Sequence, residues 1–252
     1  MSTHTELIQN LESLKLEKIK AYISDYLDSI KNQEITITEA LKHLTDKEII
    51  YREESAANTN IKVASFPFVK ELKDFDFDFQ PSINKKEILD FENLRFIENK
   101  ENILFIGTSG VGKTHLATAI GIAAARKRYC VYFISCHDLI IALNKAHQEN
   151  KLADRIKYFN RYKVLIIDEI GYLPVYKTGA NLLFQLINKR YEKFSTIITS
   201  NQPFSKWGEI FADNVLANAL LDRLLHHSHV INITGKSYRI KEKLLKSSED
   251  SD

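Results

Sequence analysis

Gly107-Thr108-Ser109-Gly110-Val111-Gly112-Lys113-Thr114 carries the spacing G-x-x-x-x-G-K-[ST]. Those residue types at that spacing bind phosphate. Glycines let backbone N–H groups turn inward around phosphate oxygens. A helix beginning near Lys113 adds its positive N-terminal end. Lys113 reaches the β- and γ-phosphates, and the Thr114 hydroxyl binds Mg²⁺. Fifty residues on, Val164-Leu165-Ile166-Ile167-Asp168-Glu169 is an apolar run closed by two carboxylates. At the C-terminal end of a parallel strand, Asp168 can hold Mg²⁺ through water and Glu169 can polarise an attacking water. A small-molecule kinase has no use for that glutamate, so the Asp-Glu pair favours nucleotide hydrolysis.

Three further groups are candidates on their types. Asn201 follows the run Ser195–Thr199 within Ser200-Asn201-Gln202-Pro203. It fits either a contact to the attacking water or γ-phosphate, or a turn residue before Gln-Pro. Arg223 is a lone arginine in the apolar stretch Leu221-Asp222-Arg223-Leu224-Leu225. It fits either a surface ion pair with Asp222 or a finger that neutralises transition-state charge on a neighbouring subunit's nucleotide. His226, His227 and His229 lie close together, but the sequence offers no matched carboxylate or cysteine beside them. They are therefore expected to be structural rather than metal ligands.

The elements that must position these groups alternate. Strands are expected at 102–106, 131–134, 163–167, 195–199 and 229–233, separated by helical stretches, which implies a parallel sheet buried on both faces. Ahead of it, apolar residues at helical spacing over 5–31 predict one long or two short amphipathic helices. Capping-box spacings at Thr36/Glu39 and Thr45/Glu48 predict a further helix or pair to about Ala57. The expected division is a helical module over 1–65 and an ATPase domain over 66–252. In the junction, Asp74-Phe75-Asp76-Phe77-Asp78-Phe79 alternates with period two. It fits a one-sided strand or a linker whose aromatics line a ligand pocket.

Composition sets the class. The chain has 252 residues, 44% hydrophobic and 27% charged, as in ordinary globular proteins. No apolar run is long enough to span a bilayer, the N-terminus has no signal-peptide core, and two cysteines, Cys130 and Cys136, make no disulfide scaffold. A reduced, cytoplasmic protein is expected. Residues 1–60 carry 7 Lys+Arg against 11 Asp+Glu, whereas 61–246 carry 28 against 19, a net +9. A basic body suits a polyanionic partner.

The motifs together resemble the IstB transposition-helper ATPases, relatives of the DnaC helicase loaders in the AAA+ initiator clade. The matching stretches are Phe66-Pro67, Asp74 to Phe77, Gly107 to Leu116 including Lys113-Thr114-His115, Asp168 to Tyr172, Thr199 to Phe204, Leu221 to His227 and Gly235 to Arg239. The resemblance implies an α/β, P-loop AAA+ three-layer sandwich with a five-stranded parallel sheet in the order 5-1-4-3-2. A small helical N-terminal module would precede it, with no C-terminal lid domain. It implies ATP and Mg²⁺ as cofactors. Gly107, Thr108, Ser109, Gly110, Val111, Gly112, Lys113, Thr114 and His115 would hold the nucleotide. Asp168 and Thr114 would take the metal and Glu169 the water. Asn201 would be first sensor, Arg223 a trans-acting finger, and Arg239 a second sensor or a contact to DNA or a neighbour. It further implies a homo-oligomer that assembles on double-stranded DNA and delivers it to a cognate transposase.

DNA contacts are expected from the stretch 145–163, which carries Lys145, Lys151, Arg155, Lys157, Arg161 and Lys163 with Tyr158, Phe159 and Tyr162 interleaved. Lysine and arginine on phosphates give sequence-independent, salt-sensitive affinity. A second basic cluster runs Lys236, Arg239, Lys241, Lys243, Lys246. Two rival readings stand beside the first. One is a DnaC-type replicative helicase loader; the other is a monomeric P-loop phosphotransferase acting on a small acceptor without DNA.

Overall fold

Ser2 caps the first helix, α1 (Thr3–Ser13), its Oγ accepting from the Thr5 N–H. The second, α2 (Glu17–Ile30), has no side-chain cap from its own N-cap residue. The third, α3 (Ile37–Val63), begins at a reciprocal box: the Glu39 N–H donates to Thr36 Oγ1 at 3.2 Å and the Thr36 N–H to Glu39 Oε2 at 2.9 Å. The second capping-box spacing starts no helix. Thr45 Oγ1 donates back to the Leu41 carbonyl at 2.9 Å inside one continuous helix. Glu48 instead reaches across to α2 and accepts from the Lys18 and Ile19 N–H groups at 2.9 and 3.2 Å. Arg52 Nε donates to its other oxygen at 2.9 Å. Burial would push the Glu48 carboxyl up, but Arg52 and the two N–H groups outweigh it and hold it below the usual range.

The structure, a computed structural model, describes residues 2–31 and 34–240. It divides into two units, Met1–Thr59 and Asn60–Asp252. In the first, Leu11, Ile19, Ile23, Tyr26 and Leu44 form a small core, while Ile37, Leu41, Ile49 and Ile50 stay exposed. The second holds α4 (Lys85–Asp90), α5 (Arg95–Glu98), β1 (Asn102–Gly107), α6 (Lys113–Arg126), β2 (Val131–Ser135), α7 (Cys136–Gln148), α8 (Leu152–Phe159), β3 (Val164–Ile170), α9 (Lys177–Arg190), β4 (Ser195–Ser200), α10 (Trp207–Ile210), α11 (Asn214–Leu225) and β5 (Ser228–Ile233). Ala64 already belongs to its core.

The five strands are parallel and ordered β2-β3-β4-β1-β5, the expected 5-1-4-3-2 read from the other edge. Successive side chains alternate between two apolar layers. Ile103, Phe105, Ile166 and Ile197 pack with Leu116 and Ile120 of α6 on one face. Leu104, Leu165, Ile167 and Ile198 pack on the other with Leu139, Leu183 and Leu220 from α7, α9 and α11. This is the three-layer α/β sandwich.

Two details depart from the expectation. Asp74–Phe79 is no strand but the end of a 3₁₀ turn followed by a bend and a turn, with Phe75 buried and the aspartates outward. The β3–β4 pairing shifts register between Ile167 and Ile170, and Glu169 within that shift has φ of 63°. Among the described residues no helix is long and apolar enough to cross a membrane.

Candidate nucleotide-binding site

The phosphate loop joins β1 to α6. Gly110 and Gly112 take φ of 83° and 100°, the left-handed region where a Cβ is strained. A Cβ on Gly112 would also lie 2.5 Å from the Phe75 ring. These two positions fix the loop's shape. Val111 points the other way, its side chain fully buried in the core. Lys113 Nζ donates to the carbonyls of Gly107 and Thr108, each at 2.7 Å. An ammonium has three protons, so this holds Lys113 at the loop with one donor left for an anion. Burial lowers its pKa, against the pull of Asp168.

Four residues converge on this loop from beyond or at the C-terminal ends of β3, β4 and β5. Asp168, 6% exposed, accepts from Thr199 Oγ1 at 2.5 Å and from Thr114 Oγ1 at 3.1 Å. Burial raises its pKa in spite of those bonds. The next residue turns outward: the register shift and left-handed backbone bring Glu169 to the surface, where it lines the cavity, and its N–H donates to Thr199 Oγ1 at 2.9 Å. Asn201 lines the same cavity, and its Oδ1 is buried without a hydrogen-bond partner. Arg239 lies on the loop's outer side, NH1 3.5 Å from Ser109 Oγ. The cavity that Glu169, Asn201 and Arg239 share is open and about 310 Å³, and Asp168 lies behind the Thr114 and Thr199 hydroxyls that line it.

Aromatics close its walls. Phe75 and Tyr238 meet edge to face at 5.8 Å beside Gly112. Tyr238 is tied down twice, its N–H donating to the Gly110 carbonyl at 2.9 Å and its hydroxyl to the Asp76 carbonyl at 2.5 Å. His115 sits between the edges of Phe68 and Phe75, its Nε2 3.2 Å from the Glu71 carbonyl oxygen, and burial lowers its pKa toward the neutral form. Of the two readings of the Asp-Phe repeat, the pocket-lining one holds for Phe75.

The arrangement suits a nucleotide polyphosphate with a hard divalent cation. A carboxylate and a hydroxyl are oxygen donors of the kind Mg²⁺ takes, and Asp168 is a buried anion without a full counter-charge. Thr199 was not among the residues singled out from the sequence. It bridges Asp168 and the Glu169 backbone, and its only signal was a hydroxyl at the end of an apolar strand.

Arg223 lies elsewhere. It sits in the last turn of α11, bonded to Asp222 Oδ2 at 2.7 Å and lying over the Tyr191 ring at 4.9 Å, and it does not line the cavity. The expected basic stretch forms the end of α7 and all of α8. Lys145, Lys151 and Lys157 are exposed there, while Arg155 lies over Tyr158 and Phe159. Lys241, Lys243 and Lys246 lie outside the described residues.

Comparisons agree with this geometry. The chain is 52% identical over 248 residues to a protein of Bacillus thuringiensis subsp. berliner named for ATP binding in insertion sequence IS232, covering 98% of this chain and 99% of that one. Among solved structures it resembles the DnaC helicase loader, with TM-score 0.51 and 24% identity over 60% of this chain and 88% of the other. It also resembles AMPPCP-bound DnaA from Aquifex aeolicus, with TM-score 0.54 and 22% identity over 70% and 55%. Those two likenesses establish the AAA+ fold. The IstB-like ATP binding protein family matches residues 9–246, and the chain belongs to it.

Proposed function

We propose that this protein hydrolyses ATP and uses the nucleotide state to assemble on double-stranded DNA, which it delivers to the transposase of its own insertion sequence. The observation that carries the reading is the meeting of Lys113 and Glu169 around one cavity at the sheet's C-terminal edge, with Asp168 bonded to Thr114 and Thr199 in its wall. Lys113 and the loop N–H groups hold the phosphates. Glu169 polarises the water that attacks the terminal phosphorus and takes up its proton. Asn201 offers an amide to that water or to a phosphate oxygen. Thr114 and Asp168 would hold Mg²⁺, which when bound neutralises charge on the phosphate oxygens.

Arg223 lies away from its own chain's cavity, which supports a role on a neighbouring copy's nucleotide. The exposed lysines of α7 and α8 supply sequence-independent phosphate contacts. Transposition is favoured over helicase loading because the 52%-identical relative belongs to an insertion sequence, whereas the DnaC likeness concerns the fold. The test is ATP hydrolysis and a plasmid mobility shift with and without ATP. Lys113→Ala is expected to reduce turnover about 100-fold or more and to abolish the ATP-dependent shift. Parental turnover in that variant, or DNA retardation indifferent to ATP and salt, contradicts the reading. Pull-downs against transposase and replicative helicase separate the two partners.

A further inference from the structure

Two turns at the sheet's opposite edge carry groups that the nucleotide chemistry leaves unused. The turn between α9 and β4 presents Glu192, and the turn between α11 and β5 presents His226 and His227. The sequence pairs the histidines with no matched carboxylate, since neighbouring Asp222 is bonded to Arg223. The fold supplies one from 34 residues upstream. One ligand atom of each of the three lies within 4.8 Å of the others. Glu192 Oε1 is 3.8 Å from His226 Nδ1 and 3.7 Å from His227 Nε2. Donors bonded to one zinc ion at about 2.0–2.1 Å stand roughly 3.3 Å apart in a tetrahedron, so each glutamate–histidine pair is about half an ångström from that spacing, and rotation of the exposed imidazoles closes the set.

The backbone beneath is hydrogen-bonded to a buried amide. Asn102, 9% exposed at the start of β1, ties together the His227 backbone, the end of α11 and the start of β4. Its N–H donates to the His227 carbonyl at 2.8 Å, its Nδ2 to the Leu224 carbonyl at 3.1 Å, and its Oδ1 accepts from the Thr196 N–H at 2.9 Å. The backbone that carries His227 is thus held by bonds that a side-chain rotation does not break, while the three ligand side chains are exposed.

We infer that Glu192, His226 and His227 form a site for a divalent transition metal of the Zn²⁺ class. Two imidazoles and one carboxylate select such an ion over Mg²⁺, which takes oxygen donors. Three protein ligands leave a fourth position for water or an outside donor. The Tyr191 hydroxyl, 2.5 Å from His226 Nδ1, turns aside when that nitrogen bonds the metal. The inference is independent of the proposed function, since none of the three residues lines the nucleotide cavity.

The test is equilibrium dialysis and calorimetry of the full chain with Zn²⁺ in millimolar Mg²⁺, followed by Co²⁺ substitution. One saturable Zn²⁺ per chain is expected, with the d–d absorption of low-coordinate nitrogen-oxygen Co²⁺ and no thiolate charge-transfer band. Binding persists in Lys113→Ala and in Cys130→Ser. It weakens about 100-fold or more in His226→Ala/His227→Ala and about 10-fold or more in Glu192→Gln. If the double variant does not fold, Glu192→Gln and the cobalt spectrum carry the decision. No saturable uptake by the parent, uptake that survives these substitutions, or uptake lost with Cys130 overturns the site.

Discussion

At the strands' N-terminal ends, Arg190 is 1% exposed and gives its guanidinium to four acceptors: Thr196 Oγ1 and the carbonyls of Phe159, Tyr162 and Ser195, at 2.7–3.2 Å. Asn102 is equally occupied, and Ser195 Oγ donates to the Phe96 carbonyl. At the C-terminal ends, Lys113 keeps a spare proton, Asn201 keeps an unpartnered oxygen, Asp168 is a buried anion and Glu169 is exposed. At the strands' starts the buried side chains of Arg190, Asn102 and Ser195 have their bonds made internally and so hold the strands. The C-terminal edge leaves valences for a ligand. Polar burial serves stability where every bond is made, and binding where one is missing.

That contrast breaks if substitutions at the two edges act alike. The largest expected effect is on chemistry: Glu169→Gln retains nucleotide binding but lowers hydrolysis about 10²–10⁴-fold, measured by phosphate release, with an unchanged melting curve. Arg190→Ala does the reverse. It leaves a void and orphaned carbonyls worth about 3 kcal/mol or more, a fall in Tm of roughly 6–12 °C by circular dichroism, with turnover per folded chain retained. Thr199→Val falls between them. Losing the hydroxyl strips a donor from Asp168 and an acceptor from the Glu169 N–H, costing about 1–3 kcal/mol in urea melts together with slower hydrolysis.

The smallest effect sharpens the comparison through pH. Burial raises the Asp168 carboxyl above its ordinary value, so the folded chain holds that proton more tightly than the unfolded one. Stability from this group therefore falls as pH rises from about 3.9 through the raised folded value, and stays reduced above it. Asp168→Asn is expected to gain on the order of 1 kcal/mol at pH 7 while losing hydrolysis, and to flatten that slope in urea melts between pH 4 and 7. A variant less stable than the parent at pH 7 would contradict the assignment of Asp168 as a destabilising, functional anion.

Much of this was legible in the chain. The five strands fall within three residues of expectation at every end, because each is a short apolar run between helical stretches. The phosphate loop is contiguous, so its spacing suffices. What depends on pairing was not legible. Glu169 reaches the cavity through a register shift against β4, and Thr199 matters because the pairing of Ile167 with Ile198 sets it next to Asp168 while the shift brings the Glu169 N–H to the same hydroxyl. Thr45 and Glu48 have capping spacing, yet the carboxylate caps a different helix 30 residues earlier. The Glu192–His226–His227 cluster is likewise assembled by two turns distant in sequence and was expected to be structural only.

The proposed function rests on Arg223 of one copy completing the cavity of another. Mixing two inactive proteins tests this most directly. Lys113→Ala and Arg223→Ala are each expected to lack DNA-stimulated ATP hydrolysis; combined with ATP and duplex DNA they should regain part of the parental rate, because some seams pair an intact loop with an intact arginine. A mixture no more active than its components, or parental activity in Arg223→Ala alone, would contradict that claim.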